Sequence, residues 1–452
     1  MNPPRTLLVR NAHTLVTMDD QRRELRDAGL LARDGVIEAV GPSAELPATA
    51  DEVLDLQGKF LVLPGLVNAH HHFFQVFTRT VAPDSTLFPW LRTLYPIWSR
   101  LRPEHIDLST RLCAAELLLS GCTTTSDHLY LLPNGCRIDD EIAAMQEMGM
   151  RFTAVRGSMS IGESAGGLPP DALVEDEDAI LADCQRLIET WHEPAPHAML
   201  RIALGPCAPF TVSEALMRET AALARAYPEV RLHTHLAEND EDLAYMARQY
   251  GSRPGPWAER LGWVGEDVWH AHCVKLNAAE IGLFARTGTG VAHCPCSNMR
   301  LASGAAPIRA LRDAGVAVGL GVDGPASNDA CNLLHEARQA LLLARLREGS
   351  VAGMRAREAL EIATRGGAAV LGRDDIGVLA PGKCADFVAI DLERPVLAGA
   401  ADPVAAVVLC QVNYVDYVCV HGRMLVEGGR LTHADHAALA ARGRAVTRDL
   451  LS

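Results

Sequence analysis

The chain has 452 residues, 48% of them hydrophobic and 22% charged, an ordinary globular balance with enough length for one large domain and a smaller one. Its 42 Lys and Arg against 56 Asp and Glu give a formal net charge of -14; no basic block runs along it, which argues against a nucleic acid polymer as partner. Twelve scattered cysteines read as thiols of a reducing cytosol and not as a disulfide framework.

The predicted elements open with short strands separated by polar turns. The first apolar stretch is broken by Arg10 and Asn11 and is too short for a signal or membrane segment, so the expected location is cytoplasmic and off the membrane. A second stretch turns at Asp34-Gly35, a hairpin position. Residues 1–60 therefore read as one part of a small β-sandwich domain. From 61 to 371 apolar strands of five to eight residues alternate with longer helical patterns, the signature of parallel strands with crossover helices. Their number fits an α/β fold of the (β/α)8 TIM-barrel type. Short strands return over 372–435, so both chain ends are expected to form the β-sandwich together, and a polar, alanine-rich helix over 436–452 closes the chain.

Chemistry concentrates where predicted barrel strands end. "VNAHHHFFQ" carries His70, His71 and His72; alternation along a strand lets His70 and His72 reach one ion while His71 faces elsewhere. "RLHTHLAE" ends in His233, His235 and Glu238, "VWHAHC" in His270 and His272, and "VGLGVDG" in Asp323. Catalytic groups of a barrel collect at the C-terminal rim. His70, His72 and His235 supply nitrogen and Asp323 a carboxylate, which leaves room for water and substrate, as in an open catalytic metal site. That donor set suits one divalent ion, Zn²⁺ first, with Fe²⁺ or Mn²⁺ as alternatives. Glu238 is placed to relay a proton, Asp323 to accept one, and His272 to polarise the carbon under attack. His233 and His270 share the inward parity of their neighbours but are expected one layer deeper, as supporting or packing residues, and His71 is expected to be orienting or structural. His293 is a candidate for the pocket lining, and Cys294 and Cys296 read as buried thiols.

Other motifs fail on context. "GVLAPGKC" ends in Cys384 where a phosphate loop needs Ser or Thr. "GLGVDG" has the spacing of a dinucleotide loop, yet Pro325 and Ser327 follow and Asp323 is better employed on a metal. "HEPAPH" has one residue too many for a zinc-protease helix and is broken by prolines.

"FLVLPGLVNAHHHF", "HTHLAE", "AHC", "AHCPCSNMRLASG" and "GLGVDGPASNDACNL", in that order, resemble the amidohydrolase superfamily, in particular its mononuclear-metal aminohydrolases. The resemblance covers nearly the whole chain. It implies the same assignment: metal on His70, His72, His235 and Asp323, proton shuttling by Glu238, polarisation by His272. The bridging lysine of the dinuclear branches would end the fourth barrel strand, where this chain has Cys207, so one metal is implied. "HHHFFQVFTRT", "LFPWLRTLYPIW" and "RGSMSIGESAGGLPPD" look most like the group that deaminates 8-oxoguanine. The implied substrate is thus a small heterocycle, 8-oxoguanine before guanine or isocytosine, with triazines or adenosine-type compounds as alternatives and a catalytically silent binding protein as the reading from another class. Gln75, Trp90, His128 and Arg156 are the candidates for substrate binding: an amide can pair with a purine edge and an indole offers a flat face. The resemblance also favours a homo-oligomer.

Overall fold

The computed structural model describes residues 5–452, so the first four residues of the N-terminal segment lie outside the described residues. Five strands come first: β1 (Thr6–Val16), β2 (Glu24–Arg33), β3 (Val36–Pro42), β4 (Glu52–Asp55) and β5 (Phe60–Pro64). β2 and β3 form a hairpin whose turn residues Asp34 and Gly35 both take positive φ, 50° and 80°, as a two-residue type I′ connection requires. β1 is long enough to pair twice on one side, parallel to β4 through Leu7–Arg10 and parallel to β5 through Thr14 and Leu15.

The chain passes into the second unit at Gly65. Its N–H donates to Asp386 O at 2.9 Å, and a Cβ there would fall 2.1 Å from the Thr123 hydroxyl, so only glycine fits between the two units. Eight strands then close a barrel: β6 (Leu66–Asn68), β7 (Cys122–Leu129), β8 (Arg151–Ser158), β9 (Leu200–Pro206), β10 (Arg231–Leu236), β11 (Val268–His272), β12 (Gly290–His293) and β13 (Val318–Leu320). Each runs parallel to its neighbours, and β13 returns to β6 through Leu320 and Asn68. Val67, Ala69, Val155, Ala203, Trp269 and Ala292 meet in one buried cluster that fills the interior. The barrel is therefore a packed core with its open end at the strand C-termini.

Four strands, β14 (Phe387–Asp391), β15 (Tyr417–Val420), β16 (Arg423–Glu427) and β17 (Arg430–Leu431), complete the terminal unit. β14 pairs antiparallel with β5, so both chain ends share one nine-stranded sheet. Leu7, Val9, Leu30 and Val62 from one end pack with Phe387, Ala389 and Cys419 from the other. The sheet claims β5, and the changeover to the barrel falls at Gly65, a few residues beyond the boundary expected at residue 60. A helix over His436–Leu451 ends the chain, and its Gly443 approaches Leu112 of the helix Pro103–Leu119. No helix among the described residues is long and apolar enough to cross a membrane, and every cysteine is unpaired.

Candidate active site

Backbone hydrogen bonds at the barrel rim bring the distant segments together. Asp323 N–H donates to His70 O at 3.1 Å, His128 N–H to His71 O at 2.9 Å, and His235 N–H to Cys207 O at 3.1 Å. Asp323 sits three residues past β13 in the left-handed region, φ 61°. A non-glycine residue there costs roughly 1–2 kcal/mol. Two donors hold the resulting carboxylate: Gly324 N–H to Oδ1 at 2.7 Å and Ser327 Oγ–H to Oδ2 at 3.1 Å.

Ring tautomers follow from the hydrogen bonds each second nitrogen makes. His72 Nδ1 lies 2.7 Å from His128 O, and His235 Nδ1 lies 2.7 Å from Cys207 O. Both Nδ1 atoms therefore carry the proton, and both Nε2 atoms present lone pairs. His233 Nδ1 donates to Trp269 O at 3.1 Å, so its Nε2 accepts from His70 Nδ1 at 2.8 Å and leaves a lone pair on His70 Nε2. These lone pairs converge: His72 and His235 Nε2 are 3.0 Å apart, and Asp323 Oδ1 is 3.3 Å from Nε2 of both His70 and His72. His70 Nε2 is buried without a donor or acceptor partner. Burial also pushes the pKa of His72 and His235 well below the ordinary value, so both imidazoles are neutral and keep a free lone pair on Nε2. Lone pairs facing one another beside a carboxylate repel unless a cation lies between them, and the donor set fits one divalent metal ion.

Two acid–base groups overlook this cluster. Glu238 follows β10 and precedes the helix Asp240–Tyr250, whose N-cap is Asn239; its own N–H donates to Asp242 Oδ2 at 3.1 Å. Burial raises the Glu238 carboxyl to about 7. His272 Nε2 stands 3.7 Å from Glu238 Oε2 and 3.8 Å from Asp323 Oδ2, while its Nδ1 donates to Asn298 Oδ1 at 2.9 Å. Burial alone would lower the His272 pKa, but the Glu238 and Asp323 carboxylates override it and raise it.

The strand parity expected for His270 fails. Trp269 points into the barrel, stacked on His233 at 4.4 Å with Nε1 donating to Ala69 O. His270 therefore faces outward, against Phe284 and Trp263 O. A left-handed turn at His272, φ 69°, brings that imidazole back over the rim. His233 does lie one layer below the rim histidines, as expected.

A cavity opens above the cluster, walled by Trp90, Tyr95, Tyr130 and Phe210 and bordered by Glu238 and Asp323. Gln75 and Trp90 line it, as the sequence reading expected. The Trp90 indole N–H is taken by Ala326 O at 3.1 Å, leaving the ring as a flat wall. Gln75 Oε1 is buried and unpartnered, and Nε2 makes only a 3.4 Å contact with Tyr130 Oη. The amide lies flush against Gly324, where a Cβ would come 1.8 Å from Oε1.

The other two substrate-binding candidates lie outside the cavity lining. His128 sits beneath it, stacked on His235 at 5.1 Å, with Nε2 donating to Gly205 O at 2.7 Å. It offers a ring nitrogen within 4.8 Å of ligand atoms of His70, His72 and His235. Arg156 follows the inward-facing Val155 on β8 and so points outward, where it pairs with Glu175 at 2.7 Å and Asp183 at 2.9 Å. His293 is buried away from the lining. Cys294 is buried as expected, whereas Cys296 is partly exposed. Tyr95, Tyr130, Ser327 and Asn298 were not foreseen. Ser327 alone had a readable signal, a hydroxyl four residues after Asp323 at a helix start.

Residues 61–425 match the amidohydrolase family. The chain is 46% identical to 8-oxoguanine deaminase of Pseudomonas aeruginosa over 429 residues, covering 94% of this chain and 95% of the relative. It is 38% identical to hydroxydechloroatrazine ethylaminohydrolase of Pseudomonas sp. strain ADP, over 99% and 96% of the two chains. Among solved structures, atrazine chlorohydrolase from Arthrobacter aurescens TC1 complexed with zinc superposes with a TM-score of 0.92 at 35% identity, covering 98% of this chain and 100% of that one. With a closed parallel barrel and a histidine–aspartate cluster at its rim, this chain belongs to the amidohydrolase family and is a hydrolase of C–N bonds.

Proposed function

We propose that this protein is a hydrolytic deaminase of a free nucleobase-like heterocycle, with 8-oxoguanine the preferred substrate and urate plus ammonia the products. Glu238 and His272 above the convergent lone pairs, inside a cavity with aromatic walls, carry the reading. The 46% identity to an 8-oxoguanine deaminase supports the choice of substrate.

His70, His72, His235 and Asp323 are proposed to hold one divalent ion, Zn²⁺ by preference. Such an ion acidifies water to a pKa of about 7 and so supplies a nucleophile near neutral pH. The protein's own groups do the rest. Trp90 and the two tyrosines hold a planar ring and exclude bulk water, and the free Gln75 amide reads a polar ring edge. Glu238, a carboxyl titrating near 7, takes a proton from the attacking water and returns it to a ring nitrogen and then to the departing amine. His272, aligned by Asn298 through Nδ1–H and held as the imidazolium by the Glu238 and Asp323 carboxylates, donates from Nε2 to the oxygen being added and stabilises the charge developing there. Asp323 stays ionised between Gly324 N–H and Ser327 Oγ–H, available as a second acceptor. Leu87, Leu91 and Leu301 also border the cavity, an apolar rim that favours a free base over a nucleoside with its hydroxyls.

A second reading, triazine amino- or chlorohydrolysis by the same residues, has support from the 38% identical ethylaminohydrolase and the atrazine chlorohydrolase structure. The test is ammonia release by the metal-loaded protein from 8-oxoguanine, guanine, isocytosine, adenosine, S-adenosylhomocysteine and hydroxylated triazines. The highest kcat/KM on 8-oxoguanine is expected. Preference for a triazine or a nucleoside overturns the substrate, and no turnover of any of them overturns the reaction. Glu238→Gln should lose about 10²–10⁴ in kcat while keeping its metal.

A further inference from the structure

A second cluster of reactive side chains lies behind the ligand segment, on the side away from the substrate cavity. Cys113, on the helix Pro103–Leu119, and Cys331, in the link between the helices Pro325–Asn328 and Leu333–Glu348, are both fully buried. Their sulfurs and a ring nitrogen of His71 all lie within 4.8 Å of one another. Arg79 Nη2 donates to Cys331 Sγ at 3.4 Å and pairs with Glu116 Oε2 at 2.5 Å. Glu116 in turn accepts the Cys331 N–H at 2.9 Å.

Two observations argue against a metal here. His71 Nδ1 accepts the His72 N–H at 2.7 Å, which places its proton on Nε2 and leaves that buried, unpartnered atom no lone pair to offer. The Arg79 guanidinium beside the Cys331 sulfur also repels a cation. Both groups favour an anion instead, a thiolate. We propose that Cys331 and Cys113 are a peroxide-reactive dithiol that closes reversibly to a disulfide, with Arg79 holding the attacking sulfur.

Burial pushes the Cys331 thiol up, yet the Cys113 S–H and the Arg79 guanidinium outweigh it and bring it to about 7, while burial keeps Cys113 protonated. One partner is thus a nucleophile at neutral pH and the other a thiol in reserve. The Cys331 thiolate attacks one oxygen of a hydroperoxide; the O–O bond breaks, the sulfur becomes a sulfenic acid, and the second oxygen leaves as hydroxide and takes up a proton. Cys113 then attacks the Cys331 sulfur, its proton leaving with the displaced hydroxide as water. Two thiols lose two electrons, and one hydrogen peroxide becomes two waters. Cys331 lies four residues after Ser327, which holds Asp323, and Cys113 Sγ contacts Phe73 O directly after His72 at 3.7 Å. The new bond therefore pulls on both ligand segments.

The metal-loaded protein, exposed to a modest excess of hydrogen peroxide, should give a species lighter by two hydrogens and a linked peptide pair containing Cys113 and Cys331. Activity should fall at least tenfold, and dithiothreitol should reverse both changes. Glutathione disulfide, too bulky for a buried pair, should leave it reduced. Cys113→Ala should stop at the sulfenic acid, trapped on Cys331 by dimedone added together with denaturant. Arg79→Gln should slow the reaction about tenfold, as the thiol returns towards its ordinary pKa of about 8.5. Wild-type protein whose Cys331 stays reduced while other thiols oxidise, or whose adduct forms on Cys113 instead, overturns the proposal. Full activity in the linked form overturns its reach to the active site.

Discussion

His233→Phe isolates what the layer beneath the proposed metal ligands contributes. The substitution keeps an aromatic ring of similar size, so the 4.4 Å stack on Trp269 survives. It removes the acceptor of the 2.8 Å bond from His70 Nδ1 and the donor of the 3.1 Å bond to Trp269 O. Each buried group left unpaired costs about 1–3 kcal/mol, so with two such groups the metal-free fold should lose about 2–6 kcal/mol. A separate effect falls on the ion. Without His233, nothing fixes the proton on His70 Nδ1, and the tautomer carrying it on Nε2 has no lone pair to offer. Losses of about 10–100-fold in metal affinity are usual when such a partner is removed, equivalent to about 1.4–2.8 kcal/mol. Competition with a chromogenic chelator measures the affinity, and thermal unfolding in excess chelator measures the fold. A folded His233→Phe protein with wild-type metal affinity would refute the tautomer argument.

Gly324→Ala has an acceptable backbone, φ -74°, but its methyl would lie 1.8 Å from Gln75 Oε1. Gln75 must leave the cavity wall, so KM should rise about tenfold or more while metal content is unchanged; wild-type KM would show that Gln75 does not read the substrate. Arg156→Met breaks a buried ion pair with Glu175 and Asp183 and should cost about 3–5 kcal/mol in denaturant unfolding, with KM unaltered in the protein that folds; a selective KM effect would return Arg156 to the pocket. Glu238 has a folded pKa near 7 against 4.5 for the free group. A raised carboxyl binds its proton more tightly in the folded state, so its stabilising effect is complete below about pH 4.5 and is lost as pH rises to about 7. In chelator-treated protein, Glu238→Gln should therefore match wild type at pH 4.5 and exceed it by up to about 3 kcal/mol at pH 8; an equal difference at both pH values would refute this. Wild-type kcat/KM should fall as pH drops through the Glu238 pKa of the metal-loaded enzyme, since only the carboxylate accepts the water's proton.

Local patterning made much of this protein legible. Strand and helix periodicities announced the barrel, and the paired histidines at strand ends, His70 with His72 and His233 with His235, followed from a two-residue repeat that holds along an extended chain. Glu238 and Asp323 were readable because each comes within three residues of the end of its strand. Where the backbone leaves the extended region, that logic ends. On β11 Trp269 takes the inward position, so His270 faces the helices by plain alternation, and the left-handed turn at His272 then returns that imidazole to the rim, which no alternation rule signals. Arg156 went astray differently: a single charged residue in a buried strand looks the same in sequence whether it faces in or out, and only the carboxylates of a distant segment decide that it faces out. Tyr95 and Tyr130, the His71–Cys113–Cys331 cluster and the fit of Gln75 against Gly324 exist only once segments far apart in the chain are packed together. Short-range geometry is set by neighbouring residues, whereas contacts across the barrel depend on closure of the whole ring of strands.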